Sequence, residues 1–150
     1  NLKCEAMLYN SLLGGSANSK LFQNVREKAS LAYTASSSYV RYKSNIFINA
    51  GIEIENFDKA MDIIRKQIED LKNGDFTQEQ IDNEKKGIIS QINTIDDEQD
   101  TEIIYFLGQE LTDTNETIDQ YKENISKVTK KQIQNVASKV EINTIYFLRN

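Results

Sequence analysis

The sequence contains no histidine. A zinc site with nitrogen ligands needs histidine, and a thiolate site needs several cysteines, whereas this chain has only Cys4. The Ser-His-Asp and Cys-His arrangements of nucleophilic catalysis are excluded for the same reason. Carboxylate chemistry, serine–lysine chemistry, or no chemistry remains. One cysteine cannot form an internal disulfide, and it fits a reducing, cytoplasmic compartment. Proline is also absent, and glycine occurs only 6 times in 150 residues, so no stretch reads as a linker. The expectation is one domain, or a fragment of one, over residues 1–150. Apolar runs are only a few residues long, as at Ile145-Tyr146-Phe147-Leu148, so neither a membrane span nor a signal peptide is expected. Basic charge is in deficit: 18 Lys and Arg against 23 Asp and Glu, for a net charge of -5. The two signs alternate along helical stretches, so nucleic acid and anionic membranes are not expected partners.

Tyrosine and phenylalanine are spread along the whole chain, which argues against disorder. The chain opens at Asn1 directly in a helical pattern, which suggests a piece of a longer polypeptide. Heavy use of Asn, Lys and Ile suits an AT-rich bacterial genome. Leu2, Ala6, Tyr9 and Leu13 form the first apolar stripe, with Leu8 and Leu12 beside it. Gly14 falls where a helix end favours a left-handed residue, and Gly15 extends the turn. Ser16 and Asn18 can cap the next helix, which carries Leu21, Phe22, Val25 and Ala29. The period then changes from 3.6 to 2. Residues 31–42 read as a strand, Lys43-Ser44-Asn45 as a turn, and Ile46, Ile48, Ala50, Ile52 and Ile54 as the inward positions of a second, antiparallel strand.

A helix follows, with Phe57, Ala60, Met61, Ile64, Ile68 and Leu71 on one face and Gly74 at its end. Thr77–Gln80, Thr117–Gln120 and Thr129–Gln132 are capping boxes, in which two side chains satisfy free backbone donors reciprocally. Ile81, Ile88, Ile92 and Ile95 line the helix after the first box. Asp96 to Asp100 interrupts the apolar pattern, and Ile103, Ile104, Phe106, Leu107 and Leu111 resume it. The final helix carries Ile133, Val136, Ala137 and Val140. Residues 143–149 read as a closing strand. Segregated strands and helices predict an α+β fold, with helices covering one face of an antiparallel sheet. Three strands make a thin sheet, so strands preceding Asn1 are expected to complete it.

Residues 10–33 read Asn-Ser-Leu-Leu-Gly-Gly-Ser-Ala-Asn-Ser-Lys-Leu-Phe-Gln-Asn-Val-Arg-Glu-Lys-Ala-Ser-Leu-Ala-Tyr. This stretch resembles the M16 family of zinc peptidases, which includes insulin-degrading enzyme and mitochondrial processing peptidase. It resembles the family's C-terminal, non-catalytic module: a helix ending in Gly-Gly, then Ser-(Arg/Lys)-Leu-Phe, Arg-Glu-Lys and Leu-Ala-Tyr. The resemblance implies a LuxS-like metallohydrolase-type module whose leading strands are missing. It also implies a partner: an N-terminal catalytic module, in the same or another chain, that holds zinc with a His-x-x-Glu-His helix. No cofactor is expected in this chain. In that family two halves close around a chamber and a substrate peptide adds as a strand at a sheet edge. The non-catalytic half contributes an Arg and a Tyr seven residues apart, which correspond here to Arg26 and Tyr33. The chain departs from the family pattern at Lys20, usually Arg, and at Ser30, usually Gly. The second change bears on the helix-to-strand turn, because Ser tolerates positive φ less well than Gly.

The residue types suit that role. A tyrosine hydroxyl is a neutral donor near pH 7, able to face the charge that develops on a carbonyl oxygen. Arginine stays charged and presents a planar fork. Apart from the resemblance, Arg26 reads as a surface helix residue and Tyr33 as a half-buried strand residue. Gly14 and Gly15 read as structural. Ser19 and Lys20 do not make a serine–lysine pair, because adjacent helical side chains do not face each other. The acidic run lacks the spacing and central glycine of an EF-hand loop. Two other readings stand beside the first: a scaffold subunit of a non-proteolytic M16 homologue, and an unrelated α+β interaction domain. An incomplete sheet with a bare edge also leaves room for a homodimer.

Overall fold

The computed structural model describes residues 3–95, 99–111 and 114–149. Leu2 and the acidic residues Asp96, Asp97 and Glu98 lie outside them. Helix α1 (Lys3–Asn10) buries Ala6, Leu8 and Tyr9, as its stripe predicts, and continues into a π-helical segment, Ser11–Gly15, that buries Leu12 and Leu13. The expected left-handed cap at Gly14 does not form. Neither Gly14 nor Gly15 has positive φ, and the chain leaves the helix through an extended Ser16 (φ -136, ψ 166). Gly14 is needed for closeness instead. A Cβ there would lie 2.5 Å from the Ser37 backbone nitrogen and 2.8 Å from Leu21 Cδ1.

A second π-helical segment, Phe22–Lys28, buries Val25, and Leu21 just before it is fully buried. Its end is closed by Ser30 N–H donating to the Arg26 carbonyl and Leu31 N–H donating to the Val25 carbonyl, both at 3.1 Å. Ser30 takes φ 52, the left-handed conformation that a glycine adopts without strain.

Strands β1 (Ala32–Val40) and β2 (Asn45–Ile52) form an antiparallel hairpin. They are joined by a single 3₁₀ turn, Arg41–Lys43, and a left-handed Ser44. Ala35, Ser37, Tyr39, Ile46, Ile48, Ala50 and Ile52 turn towards the helices, while Thr34, Ser36, Ser38, Phe47 and Asn49 are exposed on the other face. The sheet is therefore covered on one face. Among the described residues it has two strands, not three. The predicted closing strand at residues 143–149 has no regular secondary structure. Its β-rich composition does not suffice, because a strand exists only through backbone bonds to a neighbour. Phe147 stacks on Phe57 at 4.3 Å, while Ile145, Tyr146 and Leu148 stay exposed.

Helix α2 (Phe57–Lys72) buries Ala60, Ile64, Ile68 and Leu71 and stops before Gly74, whose φ is +77. Both bonds of each predicted capping box are present, and the boxes start α3 (Gln78–Asn93), α5 (Ile118–Lys127) and α6 (Lys130–Ala137). Ile81, Ile88, Ile92 and Ile95 are buried as expected. Helix α4 (Gln99–Leu111) forms where the apolar pattern resumes. Its apolar residues Ile103, Ile104, Phe106, Leu107 and Leu111 are exposed, whereas Gln109 is buried. No helix among the described residues is long and apolar enough to cross a membrane.

Candidate functional site

The sheet's alternation would place Tyr33 inward, with Ala35, Ser37 and Tyr39. A bulge prevents this. Ala32 pairs with Ile52 and Thr34 with Gly51, so Tyr33 is the extra, unpaired residue. Such a bulge re-aims a side chain, and Tyr33 is 71% exposed as a result. Its hydroxyl donates to Glu53 Oε1 at 2.5 Å. This hydrogen bond to a carboxylate, reinforced by the carboxylate's charge, raises the phenol above its usual pKa, so Tyr33 is a neutral donor at pH 7.

Arg26 lies in the last turns of the second π-helical segment. Its guanidinium carbon is 4.5 Å from the centre of the Phe22 ring, and Nε is 3.7 Å from Glu27 Oε1. Aromatic stacking of this kind holds the planar fork while leaving its edge open. Arg26 and Tyr33 line the same open cleft of about 450 Å³, together with Glu27, Ser30, Glu53 and Asn56. The two sequence-predicted residues are thus brought together, as a charged fork and a neutral hydroxyl at one end of the hairpin.

Gly14 and Gly15 are not part of this cleft. They lie between Ser11 and Ser16, whose hydroxyls donate to buried Glu84 of α3. Ser19 is 1% exposed, and its hydroxyl oxygen has no partner among the described residues. Lys20 pairs with Asp75 at 3.5 Å instead of with Ser19. Burial pushes the Cys4 thiol up to about 11, so it is a poor nucleophile and a poor ligand at neutral pH. No group of three or more carboxylates and cysteines among the described residues could hold a metal. With no histidine available either, the donor set does not fit zinc.

Sequence reasoning missed Glu53 and Glu84. Both left a signal. The turn at residues 41–44 sets a register that runs the end of β2 past Tyr33, which brings Glu53 beside it. Glu84 is a charged residue on the apolar stripe of Ile81, Ile88 and Ile92, a position that calls for a buried partner.

The described residues form an α+β module with an open, polar cleft lined by Arg26 and Tyr33. The sequence model described as "Peptidase M16 inactive domain" matches residues 5–88. The chain belongs to this family. It is 40% identical over 144 residues to the Bacillus subtilis (strain 168) protein named "Probable inactive metalloprotease YmfF", covering 95% of this chain and 33% of that protein. It is 30% identical over 84 residues to "Uncharacterized zinc protease YmxG" of the same organism, covering 55% of this chain and 20% of that protein. Among solved structures, a conserved protein from Enterococcus faecalis V583 superposes with a TM-score of 0.85 at 29% identity, over 92% of this chain and 33% of that one. The chain therefore spans a third or less of the length of the curated relatives it matches.

Proposed function

We propose that this chain is a fragment of the non-catalytic, peptide-holding module of a bacterial M16-type zinc metallopeptidase. It closes a chamber opposite a zinc site carried by a catalytic module elsewhere in the same or another chain. Arg26 grips the backbone or a carboxylate of a peptide substrate, and Tyr33 donates to a peptide carbonyl. The observation that carries this reading is the bulge at Tyr33, which turns its side chain out into the cleft that Arg26 also lines. The name of the zinc-protease relative supports zinc in the other module. The lone free Cys4 supports a cytoplasmic location.

A second reading rests on the 40% identical relative, which is named a probable inactive metalloprotease. The parent would then keep the peptide-holding cleft but lack a working zinc site. Zinc content and peptide cleavage, measured for the full-length parent and for residues 1–150 with and without a chelator, separate the two. Chelator-sensitive cleavage by the parent alone is the expected result. No zinc and no cleavage, with peptide binding retained, would give the place to the second reading.

A further inference from the structure

Glu53 is left over by that reading. It stands just past the end of β2 and is exposed. It accepts the Tyr33 hydroxyl, and no cation pairs with it among the described residues. The other carboxylate lining the cleft, Glu27, has Arg26 beside it. The cleft thus holds one cation, Arg26, against two carboxylates, and only Glu53 lacks a positive partner.

Resting on the reading of Arg26 and Tyr33 as peptide contacts, we infer that Glu53 selects peptides that place a cationic nitrogen, from a lysine or arginine side chain, beside the carbonyl that Tyr33 contacts. The geometry supports this. A carbonyl oxygen receiving the Tyr33 hydroxyl at a usual hydrogen-bond length of roughly 2.8 Å lies within one or two residues' reach of the Glu53 carboxylate. Consecutive residues of an extended peptide advance by roughly 3.3 Å and alternate in direction, so a side chain adjacent to that carbonyl is within reach of Glu53 when it lies on the Glu53 side. A lysine there gives the carboxylate a cation, whereas a glutamate meets like charge. Glu53 also holds the Tyr33 hydroxyl in place before peptide arrives, which makes it a positioning residue as well.

The test uses the full-length parent, with chelator present to prevent cleavage. C-terminally labelled, N-acetylated peptides carry Lys, Gln or Glu at each position in turn, and fluorescence anisotropy gives Kd. At one position the wild type should bind the Lys peptide about fivefold more tightly than the Gln peptide, and less so in high salt, as for a solvent-exposed ion pair. Glu53→Gln should abolish that preference at an unchanged melting temperature, while Tyr33→Phe should weaken all peptides alike. Non-acetylated peptides report whether a free amino terminus supplies the cation instead. A Lys preference that survives Glu53→Gln, or no preference at all while Tyr33→Phe still weakens binding, would overturn the role of Glu53 and leave the peptide site standing. Unchanged binding in both Arg26→Ala and Tyr33→Phe would remove the site itself, and the inference with it.

Discussion

Ser30 holds the left-handed turn between the second π-helical segment and β1 at φ 52. A non-glycine residue there costs about 1–2 kcal/mol of local strain, and glycine returns part of that as unfolded-state entropy. Ser30→Gly is therefore expected to stabilise the chain by about 0.5–1 kcal/mol in chemical denaturation, raising Tm by about 1–4 °C. A lower Tm would mean that the turn draws on the serine in a way its backbone does not reveal. Gly14 works in the opposite sense. Its missing side chain lets the end of the first helix rest on β1, and a Cβ would meet the Ser37 backbone nitrogen at 2.5 Å. Gly14→Ala should destabilise by about 1–3 kcal/mol, the usual range for overpacking. A neutral result would show that β1 can give way. The importance of Gly14 was legible in the sequence but the reason was not, because a glycine pair before a polar loop looks alike whether the need is φ or closeness. The run of residues 10–33 drew attention to Arg26 and Tyr33, and both line one cleft. Their juxtaposition depends on the bulge, which no periodicity announces.

At the scale of elements, the three capping boxes were readable because each is a local exchange between two side chains and two backbone donors. Helix α4 forms where the apolar pattern resumes but leaves its apolar residues exposed, and the strand expected at residues 143–149 does not form, for one shared reason. Periodicity tells which side of an element is apolar, not whether anything covers it. The link from α1 to the segment before α5 was invisible, since Lys3 and Glu116 are 113 positions apart and meet at 2.6 Å. Lys3 is 6% exposed, and its ammonium also sits 3.9 Å from the centre of the Tyr121 ring. Burial pulls Lys3 net below its usual pKa despite the hydrogen bond to Glu116. For Glu116, burial raises the carboxyl, but hydrogen bonds from Lys3 and Asn124 bring it net below its usual value. The difference fits the deeper burial of Lys3, where desolvation outweighs the pair.

A carboxyl with a depressed folded pKa contributes stability above its unfolded value near 4.5. That contribution is lost as pH falls through the lower folded value. Denaturation series should therefore show stability falling on acidification below about pH 4.5, with a shallower fall in Glu116→Gln. At pH 7 that variant leaves a buried, unpaired ammonium and should lose about 3–5 kcal/mol. Wild-type stability at pH 7 would mean that Lys3 escapes to solvent when its partner is removed.

At the scale of the whole molecule, the chain spans a third or less of the length of the curated relatives it matches. Among the described residues its sheet carries helices on one face, and α4 and the tail expose Ile103, Ile104, Leu107, Tyr146 and Leu148. The central claim therefore concerns what the cleft does in the full-length parent. The measurement that tests it most directly is the affinity of that parent for a labelled peptide, with chelator present, in wild type, Arg26→Ala and Tyr33→Phe. Losing one hydrogen bond to a peptide carbonyl, charged or neutral, costs about 0.5–3 kcal/mol. The account predicts binding weakened about tenfold in each variant, with wild-type melting temperatures. Wild-type affinity in both would contradict it.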